Sequence, residues 1–103
     1  MEKEKPNFTF SAEKNQQLIN DRGISFEEVI AAIENNAILD IVPHYNLDKY
    51  ANQEIYVLNI NNYVYLVPFI RESKNSIFLK TIFPHRKLTR LYLGGQKNDE
   101  EKS

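Results

Sequence analysis

The segment KTIFPHRKLTR, residues 80 to 90, concentrates the side chains best suited to chemistry on a phosphate. Lys80, Arg86, Lys87 and Arg90 supply positive charge around the imidazole of His85, and His44 is the other histidine of the chain. Cleaving RNA without a metal takes three kinds of group at one phosphate. A base removes the 2′-hydroxyl proton, an acid protonates the leaving 5′-oxygen, and cations hold the crowded phosphorane. The arginine fork matches two phosphate oxygens, which suits the last task. Imidazole titrates near neutral pH, so His85 and His44 are each candidates for acid or base. Tyr45, Tyr50 or Tyr92 offers a flat face on which an unpaired base can stack. The same residues on a solvated basic helix would do no more than bind an anion.

Charge distribution points the same way. The 103-residue chain carries a net charge of −1, yet from Arg71 to Arg90 six cations face Glu72 alone, a net +5 against −6 elsewhere. Arg71 therefore joins the candidate phosphate ligands, because such an asymmetry says more about partners than the total does. The absence of cysteine excludes disulfides and thiol nucleophiles, and two histidines cannot build a three-histidine metal site. No glycine-rich phosphate loop, dinucleotide fingerprint or metal-ligand spacing occurs, so neither metal nor cofactor is expected. No apolar run approaches the length of a membrane span, and MEKEKPNF lacks the apolar stretch of a signal peptide. A single soluble cytoplasmic domain is the expectation, with about two-thirds of its surface buried on folding.

The elements that must position these residues follow from local patterns. MEKEKP and QKNDEEKS read as frayed tails around one unit spanning 7 to 95. Phe8 and Phe10 alternate in a short strand, and Ser11 caps a helix over 12 to 22 with Leu18 and Ile19 inward and Gly23 as its stop. Ser25-Phe26-Glu27-Glu28 is a capping box, flanked by a staple of Ile24 and Val29, which starts a helix over 26 to 35. The period then changes to two. Ile38 to Val42, Glu54 to Ile60, Tyr63 to Ile70 and Ile77 to Phe83 read as strands. Asn61–Asn62 fits a type I′ hairpin turn. The connection from Pro43 to Gln53 is long enough to cover a site.

Tyr63 to Val67 is apolar on both faces, so it belongs at the centre of a sheet covered on both sides, and Pro68 conflicts with it unless it marks a bulge or an end. On the last strand Lys80 shares a face with Phe78 and Ile82. A final short helix over 86 to 93, closed by Gly94–Gly95, sets Arg86 and Arg90 on one face. The fold class is α+β, with two N-terminal helices and a short C-terminal helix packed on a mainly antiparallel meander sheet.

Three stretches, in consistent order, carry a family resemblance. They are Phe8-Thr9-Phe10-Ser11-Ala12-Glu13-Lys14-Asn15, Arg22-Gly23-Ile24-Ser25-Phe26-Glu27-Glu28-Val29 and Arg86-Lys87-Leu88-Thr89-Arg90-Leu91-Tyr92. Together they resemble the BrnT family of bacterial toxins, within the RelE-like ribonuclease group. Asp21–Arg22 and Leu79-Lys80-Thr81 stand where that family carries further basic residues. The resemblance implies a RelE-like fold and a metal-independent endoribonuclease that arrests translation. It also implies neutralisation by a small antitoxin, usually of ribbon-helix-helix type, in a toxin–antitoxin hetero-oligomer or beside a homodimer. By position, Arg86 and Lys87 match the basic pair of the family's last helix, and Lys14 its first-helix lysine. Two other readings stay open from the residues themselves. One is a non-catalytic RNA- or protein-binding module on the same fold. The other is a small-ligand protein that uses the 43–53 loop as a lid, with a pocket lined by Tyr45 and Tyr50 away from the basic helix.

Overall fold

Asn61 and Asn62 both take positive φ, 55° and 65°, the geometry that a type I′ turn demands. They join the two longest strands of a computed structural model that describes residues 6–102 apart from Tyr45, Leu47 and Tyr50, with backbone alone for 95–102. Residues 1 to 5 of the expected tail MEKEKP and the lid tyrosines Tyr45 and Tyr50 lie outside the described residues. The order is β1 (Asn7–Thr9), α1 (Ala12–Arg22), α2 (Phe26–Glu34), β2 (Ile38–Pro43), β3 (Gln53–Ile60), β4 (Tyr63–Ser73), β5 (Ser76–Leu79), β6 (Phe83–Pro84) and α3 (Arg86–Lys102). The sheet order is β1-β5-β4-β3-β2, with β6 also on β4; all pairs are antiparallel except β1 with β5. The class is α+β, with three helices and one mixed six-stranded sheet.

Alternation along β3 and β4 splits the core into two layers. Leu18 of α1 and Phe26 and Val29 of α2 bury against Tyr56, Leu58, Val67 and Phe69. The opposite side chains, Ile55, Val57, Val64 and Leu66, pack with Leu88 and Leu93 of α3. Both faces of β4 are therefore covered, as its two-sided apolar pattern predicts.

The helix ends show which local rules hold. Ser11 Oγ accepts the Lys14 amide at 3.1 Å, and Gly23 closes α1 with φ 68°. Ile19 is 40% exposed rather than inward: it stands at the margin of the buried stripe, beside Asn15 but about 100° around the helix from Leu18. Ser25 Oγ accepts the Glu28 amide at 3.2 Å. A second side chain joins this cap: Asn15 Oδ1 accepts the Phe26 amide at 2.7 Å, and Asn15 Nδ2 donates to Glu27 Oε1 at 2.9 Å. At the sheet edge, Asp40 Oδ1 accepts the Ile41 amide at 2.8 Å.

Helix α3 corrects one boundary. It continues past Gly94–Gly95, where the sequence ends it, to Lys102. Among the described glycines only Gly23 takes the positive φ of a helix stop. Gly94 is buried inside the helix instead, and a Cβ there would come to 3.2 Å from Arg90 Cγ.

Candidate functional site

Pro68 decides the shape of the site. Residues Phe69 and Leu79 pair across β4 and β5, and Leu66 and Phe83 pair across β4 and β6. Between those pairs Lys80, Thr81 and Ile82 face only Val67 and Pro68, so one residue is in excess and the strand bulges. The Pro68 carbonyl accepts the Lys80 amide at 2.8 Å. In an antiparallel strand the amide of a residue points the same way as its carbonyl, so the donor that proline lacks falls on the interrupted side. A proline in a central strand is thereby tolerated, and the expected strand Ile77 to Phe83 is divided in two.

The bulge changes which side chains share a face. Leu79 and Ile82 both enter the layer under α1 and α2, while Phe83 returns to the α3 layer. Lys80 is therefore separated from Ile82, against the simple alternation, and Lys80 and Thr81 line a pocket together with Phe83. Arg22 Nη1 donates to the Ile82 carbonyl and so ties the end of α1 to the bulge.

His85 follows directly and serves as the N-cap of α3. Its Nδ1 accepts the Leu88 amide at 3.2 Å, and its own amide donates to the Val64 carbonyl at 2.9 Å. Thr89 Oγ1 accepts the Val64 amide and donates to the His85 carbonyl, each at 2.9 Å, which locks the helix start to β4. His44 leaves β2 with its amide on the Gln53 carbonyl at 3.1 Å and its Nδ1 accepting the Asn46 amide at 3.1 Å. It is 8% exposed.

These two histidines and Lys80 line one pocket of about 370 Å³. Ile55, Leu66, Pro68 and Phe83 give it an apolar lining, and Gln53 and Thr81 add polar groups. An Nδ1 that accepts an amide carries no proton, so each neutral imidazole holds its proton on Nε2.

The remaining candidates divide by location. Arg86, Lys87 and Arg90 are exposed on α3, with Arg86 next to His85 at the helix start, and Tyr92 is 41% exposed on the same helix. Arg71 does not join them. Its Nε donates to Glu54 Oε1 at 2.7 Å, and its guanidinium lies 5.3 Å from the Phe69 ring centre, in the layer opposite the pocket. Burial pushes the phenol of nearby Tyr56 up; Arg71 lowers it and Glu54 raises it further. Lys14 sits on α1, whose Leu18 packs on that same opposite layer.

The chain matches no protein-family profile, no curated protein and no solved structure. Among the described residues no three of His, Cys, Asp and Glu gather as metal ligands, and no helix is long and apolar enough to cross a membrane. Gln53, Thr81 and Arg22 are the site residues that sequence patterns miss. The one clue to Thr81 is Pro68, which demands an irregularity in the strand beside it.

Proposed function

We propose that the chain acts on RNA as the toxin of a type II toxin–antitoxin pair in the cytoplasm. In this reading it cleaves an unpaired strand without a metal at the pocket that begins α3, and a small ribbon-helix-helix antitoxin holds it in check. The observation that carries the proposal is convergence: His44, from the end of β2, meets Lys80 and His85, from the segment between β5 and α3, in the lining of one pocket. Two imidazoles and one ammonium are a sufficient set for transesterification at a phosphate.

The step balances with these groups. The 2′-oxygen attacks the adjacent phosphorus and gives its proton to one imidazole. The bond from phosphorus to the 5′-oxygen breaks, the second histidine, as imidazolium, protonates that oxygen, and a 2′,3′-cyclic phosphate remains. Lys80 and the neighbouring Arg86 hold the negative charge of the phosphorane.

One observation favours a second reading, a non-catalytic RNA-binding module. Both Nδ1 atoms are engaged by backbone amides, of Asn46 and of Leu88. Each histidine must give up that bond before Nε2 can act as a base or the ring can carry two protons.

Expression of the chain alone, with RNA cleavage by the purified protein, separates the readings. The nuclease reading expects growth arrest and cleavage that disappear in His85→Asn, since asparagine keeps the helix cap but has no imidazole. Normal growth and intact RNA would remove it. Salt-dependent RNA binding without cleavage is the outcome expected of the binding module.

A further inference from the structure

We infer that the pocket takes a whole unpaired nucleotide, base as well as phosphate, with the Gln53 carboxamide reading the edge of the base. This deepens the RNA reading above and rests on it. A subsite for phosphate alone needs donors and cations, and Lys80 with the imidazole of His85 supplies them. It has no use for the apolar part of the lining. Four of the residues around this pocket, Ile55, Leu66, Pro68 and Phe83, have wholly apolar side chains. That surface belongs to the layer which α3 covers through Leu88 and Leu93, yet here a pocket of about 370 Å³ stays open beside it.

The chemistry of the lining divides as a nucleotide does. Phe83, half-buried in this lining, is an aromatic ring of the kind on which bases stack, and stacking is tolerant of sequence. Phe83 stands between Lys80 and His85 in the chain, so the bulge delivers the cation, the ring and the imidazole from one short segment. Gln53 contributes a donor beside an acceptor, the pattern that pairs with a base edge. Its backbone carbonyl is already held by the His44 amide at 3.1 Å, which fixes the start of β3 against the end of β2.

The test is calorimetric titration of the full chain with adenosine 3′-monophosphate, uridine 3′-monophosphate, the two nucleosides and inorganic phosphate. At least one nucleotide should bind roughly tenfold or more tightly than inorganic phosphate, as expected where a base stacks. Gln53→Leu should erase most of that advantage while leaving phosphate binding in place, and Lys80→Ala should weaken nucleotide and phosphate alike. Nucleotides binding no better than phosphate, no binding of either, or an unaltered Gln53→Leu variant would each overturn the assignment. RNA cleavage is assayed on the same preparation. Nucleotide preference without cleavage keeps the subsite and removes the nuclease reading, whereas cleavage without nucleotide preference does the reverse.

Discussion

Asn15 Oδ1 accepts the amide of Phe26 at 2.7 Å, so a buried side chain of α1 closes the first turn of α2. Replacing Asn15 by Ala leaves that amide without a partner in a buried corner, at a cost of about 1–3 kcal/mol. The urea midpoint should fall accordingly with an unchanged slope. An unmoved midpoint would show that the corner is held by apolar packing alone.

The same asparagine reaches Glu27. Its bond, aided by backbone and Ser25 contacts, holds the Glu27 carboxyl below the ordinary value of 4.5. The unfolded chain therefore takes up this proton first as pH falls. The associated stability is present above about pH 4.5 and is lost as pH drops through the lower folded value. Urea titrations between neutral and acid pH should show a shallower acid limb in Glu27→Gln than in the parent chain. Parallel limbs would sink the idea.

His85 has two jobs that separate by substitution. His85→Ala removes the side chain that caps α3 and should cost about 1 kcal/mol, whereas His85→Asn should hold the stability of the parent. Activity on RNA should vanish in both. A fully active His85→Asn protein would make the imidazole a cap and nothing more.

Binding of unstructured RNA should report which cations meet phosphate. For single strands the slope of log affinity against log salt changes by about 0.7 per phosphate contact. Lys80→Ala and Arg86→Ala should each flatten it by about that amount, measured by fluorescence anisotropy. Arg71→Ala should leave the slope alone, because its guanidinium is committed to Glu54 at 2.7 Å on the other side of the sheet.

What could be read from sequence is what short-range chemistry decides. Ser11, Ser25, Gly23 and the Asn61–Asn62 pair act on amides a few residues away, and each performs its expected local task. The two-faced β4 is legible because alternation needs no partner to be seen. The bulge is not, since Ile77 to Phe83 has the same pattern with or without a slip in register. Only Pro68, far off in the chain, forces the slip. Charge alone groups Arg71 with the phosphate ligands, whereas its bond to Glu54 depends on a diagonal neighbour across β3 and β4 that only the register reveals. Likewise the meeting of His44 and His85 is a property of the sheet, not of either segment.

The small bond between Asp40 Oδ1 and the Ile41 amide bears on how the molecule behaves in company. With the His44 amide on the Gln53 carbonyl, alternation points the backbone of Ile41 and Pro43 away from β3, toward the open border of the sheet. One of those two amide donors is satisfied by its neighbour's carboxylate, and the other does not exist because the residue is proline. An extended strand approaching this stretch finds acceptors but nothing to receive its own carbonyls, so the border resists stacking into larger sheets.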